Sequence, residues 1–544
     1  FKKGFGNHYI EAIVAHETNE DSFTFSNIYK KGIVNLNPDA ALEPDNYTEQ
    51  NGNSQGFTRK SNLESYFGQI NYNFDNKYYL SGTLRRDGTS RFLNNKWGTF
   101  WSLGAGWVIS KESFLKSSSF LSYLKLKASY GVLGDQGGVN TRVNTLTDSE
   151  NYSGADYYGG QDGFYVGSLS GSIALAPLPI IDENLTWETS NQFQTGIELE
   201  LFNGRIEANM DYYRKTTKNL FIDKQLASSQ GDQVIRTNDG ELLNQGFEFD
   251  LTGHVIKKDD FSLSLSVNGE LFDNEILTMP IDDNTGIVKT INRVDDIYGH
   301  SKGSSIYDYY IREWAGVDPA NGNPQWTQHW VDSNNNNAYD AGEGIDDLVT
   351  YQSENSGSTI LQRKTSVYAD ATLKYIEDKS VIPTIRGAFR INTSFKQFSL
   401  STQFGYSIGG YGYDFVYANL MSNGLVGNSS YHTDIRNSWK KPGDVTNVPR
   451  IYSNQNVNVS RASSRFLTST DYLALNNIRF GYALPKTVAE QIGIGGLDLW
   501  VSGDNLFLFS ERKGYNPTTS VTGQSNVYSY NPITTYTFGV RVRI

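Results

Sequence analysis

The chain of 544 residues carries 47 Lys and Arg against 59 Asp and Glu, a net charge of −12, and its 38% apolar share includes 35 Tyr and 29 Phe, residues that favour strands. The absence of Cys excludes disulfides and thiolate metal sites, six His leave little for imidazole chemistry, and an acidic balance without clustered Lys and Arg excludes a nucleic-acid partner. No apolar run reaches the roughly 18 residues of a membrane-spanning helix, whereas a membrane β-barrel stays open because its strands alternate lipid-facing with lumen-facing residues.

The N-terminus, Phe1-Lys2-Lys3-Gly4, has neither an initiator Met nor an apolar signal region and reads as processed or truncated. The first clear strand places Tyr66, Gly68, Ile70, Tyr72 and Phe74 on one face and Ser65, Gln69, Asn71 and Asn73 on the other, with Phe67 as the misfit. A short link at Asp75 to Lys77 follows. Tyr78, Tyr79, Trp97, Trp101 and Trp107, near expected strand ends, are candidates for interfacial girdles. After an excursion over about 132–187, Phe193, Thr195, Ile197, Leu199 and Leu201 alternate with Gln192, Gln194, Glu198 and Glu200. Beyond the turn at Asn203-Gly204, Ile206, Ala208, Met210 and Tyr212 alternate with Arg205, Glu207, Asn209 and Asp211, which makes a hairpin with one apolar and one charged face. Phe261, Leu263, Leu265 and Val267 repeat the pattern against Ser262, Ser264, Ser266 and Asn268.

The excursion over about 273–383 contains the loop Asp332-Ser333-Asn334-Asn335-Asn336-Asn337-Ala338-Tyr339-Asp340-Ala341-Gly342-Glu343. Calcium takes roughly six to eight oxygens, and a twelve-residue EF-hand loop supplies them from positions that correspond here to Asp332, Asn334, Asn336, the Ala338 carbonyl, Asp340 and Glu343. Asn337 stands where Gly is usual, and Asn adopts the left-handed conformation that turn needs. A structural Ca2+ is therefore expected, stiffening an external loop. Tyr157, Tyr158, Trp326 and Trp330 are loop aromatics suited to stacking on sugars or gripping a peptide. Next, Phe389, Ile391 and Phe395 lead through Lys396-Gln397 to Phe398, Leu400, Phe404, Tyr406 and Ile408. A third excursion spans about 409–465, and the last strand carries Tyr536, Phe538, Val540, Val542 and Ile544.

Roughly fifteen strands result, many of about ten residues, the length that a tilted strand needs to cross a bilayer. Alternation alone also describes a soluble sandwich. The strict exchange of very short links with very long ones separates the two, because outer-membrane barrels have short periplasmic turns and long outside loops. Residues 1–544 are thus expected to form an all-β, transmembrane antiparallel barrel. Carboxylate pairs such as Glu198 with Glu200 and Glu248 with Asp250 share a strand face that points into the lumen and read as solvated charge, and no nucleophile elbow, zinc motif or phosphate loop is present. An enzyme is not expected.

Several stretches carry a resemblance. They are Ser65-Tyr66-Phe67-Gly68-Gln69-Ile70-Asn71-Tyr72, Leu84-Arg85-Arg86-Asp87-Gly88-Thr89-Ser90-Arg91-Phe92, Trp97-Gly98-Thr99-Phe100 and Leu126-Lys127-Ala128-Ser129-Tyr130-Gly131. With them go Leu185-Thr186-Trp187-Glu188-Thr189, Asn244-Gln245-Gly246-Phe247-Glu248-Phe249, Trp314-Ala315-Gly316-Val317-Asp318-Pro319, Ser464-Arg465-Phe466-Leu467, Asn477-Ile478-Arg479-Phe480-Gly481-Tyr482-Ala483-Leu484-Pro485 and Ser502-Gly503-Asp504-Asn505-Leu506-Phe507. In this order, from about residue 60 to the end, the sequence resembles the SusC/RagA family of TonB-dependent outer-membrane transporters.

The resemblance implies the later strands of a barrel of about 22 strands with an internal plug, placed in the bacterial outer membrane. It further implies energising by the TonB complex through a missing N-terminal part, a SusD-like lipoprotein as lid, and an oligosaccharide or peptide as cargo. The chain departs from the pattern in showing no plug or TonB-contact segment, in its strand count, and in ending on Ile544 where an aromatic residue is usual. The alternative reading is a surface glycan- or peptide-binding β protein without transport.

Overall fold

The computed structural model describes the chain apart from residues 28–29, 34–46, 51–54, 138–139, 142–156, 159–163, 170–171, 178–181, 226–233, 283–286, 295–296, 423–429, 452–457 and 527. Fifteen strands form one antiparallel sheet in which each strand pairs with its neighbours in sequence. They are β1 Lys2–Phe5, β2 His8–Asn27, β3 Gln55–Phe74, β4 Tyr78–Thr89, β5 Trp97–Val108, β6 Leu121–Asp135, β7 Glu188–Leu201 and β8 Ile206–Lys218. The series continues with β9 Glu241–Lys257, β10 Phe261–Thr278, β11 Ile385–Phe395, β12 Phe398–Ile408, β13 Tyr472–Ala483, β14 Gly496–Ser510 and β15 Thr535–Arg543. Among the described residues no ladder joins β1 to β15, so the sheet is an open arc of a barrel wall.

The turns at one end are tight for a local reason. Asp75 and Asn76 adopt φ of 55° and 51°, Phe202, Asn203 and Gly204 adopt 54°, 57° and 72°, and Lys396 adopts 52°, the left-handed values that match a hairpin turn to the twist of its strands. At the other end the connections 136–187, 279–384, 409–471 and 511–534 are long, and two of them are folded rather than irregular. Asn292–Val294, Tyr298–His300, Asp308–Arg312 and Leu373–Ser380 form one small sheet. Trp314–Val317, Pro324–Trp330, Gly344–Ile345 and Leu361–Thr365 form another. Ile297, Tyr309, Ile311 and Val381 from the first excursion then share a core with Tyr413, Met421, Val448 and Phe466 from the second. We refer to this unit as the cap.

Register assigns the faces of the wall. Ile70 pairs with Ala12 and Gly82, Leu103 with Gly82 and Tyr130, and Ile197 with Leu126 and Met210, so one face is apolar from strand to strand. Phe67, the misfit, lies on the polar face, where the Arg85 guanidinium stands 5.2 Å over its ring. Phe100 also points that way, into a cluster with Phe92, Leu185 and Trp187. Gly98 and Gly134 make room for it, since a Cβ at either would lie 2.3 or 2.0 Å from the ring.

Tyr78 and Trp107 stack 6.4 Å apart beside the tight turns, and both reach Glu112. Trp97 stands on the same face of β5, ten residues from Trp107. At about 3.3 Å per residue and a tilt of about 40°, the two are about 25 Å apart along the barrel axis, the height of the apolar band of outer-membrane barrels. Tyr79 faces the opposite side, beside Lys125, and is no girdle residue.

Leu265 lies about 10 Å above the turn end, close to mid-membrane, whereas Leu199 lies about 5 Å above it. Leu265→Arg should cost about 2–4 kcal/mol and Leu199→Arg about 1 kcal/mol, with changes at Glu198 or Ser264 milder still. Reversible urea unfolding in lipid vesicles reads this difference, and equal losses on both faces would refute the face assignment.

Candidate functional site

The polar face is cross-linked rather than merely wet. Lys125 on β6 pairs with Glu198 on β7 at 3.0 Å, and Lys127 with Asp211 on β8 at 3.0 Å. Arg386 on β11 pairs with Glu270 on β10 at 2.8 Å, and Tyr213 donates to the same carboxylate at 3.1 Å. Arg85 holds Asp87 at 2.6 Å, reaches Glu17 at 3.3 Å and donates to the Ser65 hydroxyl at 2.8 Å. Alternation along β4 places Arg85 and Asp87 on this face and Arg86 on the other, a signal present in the sequence but not drawn from it.

A cavity of about 490 Å³ opens on this wall between Asn209, Asp211, Glu248, Asp250, Glu270 and Arg386. Of the two carboxylate pairs, Glu198 is thus neutralised by Lys125, while Glu248 and Asp250 line an open hollow. A second cavity, about 850 Å³, is lined by Leu80, Trp107, Leu126, Ala128, Met210 and Phe247. Its lining comes mainly from the apolar face, which turns away from the lumen.

The cap buries the aromatic residues expected to grip a ligand. Trp326 is 1% exposed and Trp330 7%. Trp326 packs edge-on against Trp314 at 5.6 Å and Tyr368 at 5.3 Å, and Trp330 against Tyr339 at 5.8 Å. Both are core residues, because each is covered by aromatic rings of its own excursion, Trp314 and Tyr368 against one and Tyr339 against the other, and neither offers a ring face to a sugar. The side chains of Tyr157 and Tyr158 lie outside the described residues.

Arg465 is buried in the cap with its guanidinium 4.8 Å from the Trp314 ring and 5.1 Å from Phe466, and it donates to the Val459 carbonyl at 3.1 Å. Burial pushes it down to about 10, which leaves it charged at neutral pH, and among the described residues it makes no ion pair. The aromatic faces stabilise it instead.

The stretch Asp332–Glu343 forms an exposed tip. Asn337 takes the left-handed conformation at φ 60°, with Asn335 at 57° and Gly342 at 98°. The Asp332 carboxylate accepts from the backbone N–H of Asn336 at 3.1 Å and of Asn337 at 2.8 Å. Glu343 accepts from the Ser333 hydroxyl at 2.7 Å and the Asp340 N–H at 2.8 Å, which hold its carboxyl below the usual range, the Ser333 hydroxyl first. The side-chain amides of Asn334 and Asn336 donate to Asp340 at 2.8 and 2.7 Å. The donor types suit calcium. Their arrangement does not form a cage: amide nitrogens rather than oxygens turn to Asp340, and among the described residues no three His, Asp or Glu side chains converge to hold a metal.

His329 sits inside the cap on Pro324–Trp330, with Nδ1 unpaired and Nε2 3.0 Å from the Gln362 amide. Burial, aided by the Lys374 ammonium, pushes its imidazole below the usual value. A base that is weaker folded than unfolded takes its proton more readily in the unfolded state, so cap stability should hold above about pH 6.5 and fall as pH drops below it. Amide exchange in 324–330, corrected for intrinsic rates, should accelerate between about pH 7.5 and pH 5, and His329→Gln should abolish that change. An unchanged rate in the wild type would refute the assignment.

Comparison with known proteins adds the following. Residues 16–296 match the family described as TonB dependent receptor-like, beta-barrel. The chain is 28% identical over 501 residues to TonB-dependent receptor P39 of Formosa agariphila, covering 89% of this chain and 46% of that protein. It is 27% identical over 502 residues to TonB-dependent receptor SusC of Bacteroides thetaiotaomicron, covering 89% and 44%. The structure of the RagAB peptide transporter superposes with a TM-score of 0.77 at 23% identity, over 100% of this chain and 54% of that one. The chain therefore spans less than half the length of these curated relatives.

Proposed function

This chain belongs to the TonB-dependent receptor-like β-barrel family of outer-membrane proteins, of the SusC/RagA kind, and we propose that it is the later part of the barrel of a nutrient importer. The cargo is an oligosaccharide or oligopeptide, the energy comes through TonB, and a SusD-like surface lipoprotein works as the lid.

The observation that carries this reading is the open fifteen-strand arc with an apolar outer face and an ion-paired inner face. Leaving the free edge of β15 in lipid would expose about nine backbone groups at several kcal/mol each, more than the roughly 5–15 kcal/mol that stabilises a whole domain. Further strands must therefore pair with that edge. A barrel wide enough to use them encloses a lumen that needs a plug, and a plugged wide barrel is an importer rather than a pore. Purified in detergent from its own membrane, the protein should carry a bound oligosaccharide or oligopeptide, identified by mass spectrometry, and a surface lipoprotein. Cellular uptake of that ligand should stop when TonB is removed. Solubility without detergent, or uptake that persists without TonB, would sink the proposal.

A calcium ion at the 332–343 tip is a separate part of the reading, supported by the spacing of the oxygen donors and the left-handed Asn337. Binding requires the Asn334 and Asn336 amides to turn so that their oxygens, with those of Asp332, the Ala338 carbonyl, Asp340 and Glu343, face the ion. Calcium should then protect 332–343 from amide exchange and chelation should reverse it, with Asp332→Ala insensitive to both. Identical protection with and without calcium in the wild type removes the ion.

A further inference from the structure

The lipid-side wall carries a second feature at the end away from the tight turns. Along β3 that face runs Phe74, Tyr72, Ile70 and Gly68, then turns polar at Tyr66, Glu64 and Asn62. His16 on β2 and Arg86 on β4 stand directly opposite Tyr66, Trp97 on β5 stands two residues farther from the tight turns, opposite Gly88, and the four side chains pack into one row. The His16 and Tyr66 rings stack 4.5 Å apart, Tyr66 and Trp97 lie 6.3 Å apart, and the Arg86 guanidinium is 5.7 Å from the Trp97 ring. Glu64 fixes the row from above, accepting from the Tyr66 hydroxyl at 2.6 Å and lying 3.2 Å from His16 Nε2.

Trp97 lies across Gly88, where a Cβ would come within 2.7 Å of the indole, and it remains 43% exposed. Immediately beside it a groove of about 440 Å³ is lined by Thr18, Glu20, Asn62, Glu64, Lys96 and Trp97. An open indole face suits the C–H face of a sugar ring, carboxylates and an amide suit its hydroxyls, and Arg86 with Lys96 suits a phosphate. The location selects the source. Trp97 is about 25 Å from the lower girdle, at the headgroup level of the outer leaflet, and the sheet separates the groove from the lumen, so cargo in transit does not reach it.

We infer that the groove lined by Trp97 and Glu64, with Arg86 beside it against the Trp97 ring, binds the phosphorylated saccharide headgroup of an outer-leaflet glycolipid. The inference rests on the membrane-barrel fold and is independent of what the barrel imports. The indole supplies the platform, Arg86 and Lys96 the phosphate contacts, and Glu20, Glu64 and Asn62 the hydroxyl acceptors.

The test uses the detergent-purified protein and fluorescent lipopolysaccharide, with phosphatidylethanolamine and delipidated core oligosaccharide as competitors. Binding should be saturable, should resist phosphatidylethanolamine, and should yield to the delipidated oligosaccharide only in large excess, because the free headgroup makes the same contacts without the acyl chains that anchor it beside the wall. Arg86→Gln and Trp97→Ala should each weaken it about fivefold, Trp97→Phe should retain most of it, and Ser264→Ala on the inner face should leave it unchanged. Displacement by phosphatidylethanolamine would make the groove ordinary lipid-coated wall. Displacement by the free oligosaccharide at concentrations no higher than those of lipopolysaccharide itself would make it a soluble-sugar site, and wild-type affinity in variants that keep the heat-modifiable folded band would exclude these residues. Each of these results overturns the inference, and the competitor arms decide it on the wild type even where a variant fails to fold.

Discussion

Backbone hydrogen bonding in a solvent that offers none is the constraint on which the rest of this structure depends. In hydrocarbon every strand N–H and C=O must find a protein partner, at several kcal/mol for each failure, a larger stake than any single side chain in the wall. A sheet in which each strand pairs with its sequence neighbours meets that demand with the fewest long connections. Side chains then only have to choose a face. The apolar ones take the lipid side, and the inner face is free to carry ion pairs such as Lys127 with Asp211, which rigidify the wall without having to hold it together.

That division explains how much was legible in the sequence. Where a strand crosses from turn to loop between two different solvents, period-2 alternation is written into it, as in Phe193 to Leu201 and Phe261 to Val267, and the left-handed turns at Asp75-Asn76 and Lys396 stand out beside them. β2 was not legible as a strand. Its lower half alternates through Ile10, Ala12 and Val14, but its upper half leaves the lipid, and Glu17, Thr18, Asn19, Glu20 and Asp21 are polar on both faces. The cap was hidden for the opposite reason. Its strands are short and covered on both sides, so Tyr309, Tyr310 and Ile311 form a continuous buried run without period, and Trp326 and Trp330 looked like ligand-binding residues when they are buried against other rings of their own excursion.

The site was legible only where the determinant is local. The left-handed Asn337 follows from the residue itself, but the attachment of the Asn334 and Asn336 amides to Asp340 is a choice among partners that spacing does not encode. Inner-face pairs join residues far apart in sequence, Lys125 with Glu198 and Glu270 with Arg386, so no motif announces them. Parity was the unused clue. The adjacent Arg85 and Arg86 serve opposite faces, one bound into an ion cluster in the lumen and the other lying against an indole on the outside.

The shared core of the cap has a mechanical consequence. Two excursions that flank the β11–β12 hairpin are fused through Tyr309, Tyr413 and Phe466, and the 511–534 connection is tied in where Gln524 donates to the Tyr298 hydroxyl and Arg512 pairs with Asp414. Such a body does not flap loop by loop. A load applied to any part of it is spread over the rims of β10 to β15, because the cap is bonded to the wall itself, where the Gly303 N–H donates to the Ile276 carbonyl at 2.8 Å and the Gly409 N–H to the Asp471 carboxylate at 2.6 Å, so displacement at the surface is converted into a common tilt of adjacent staves.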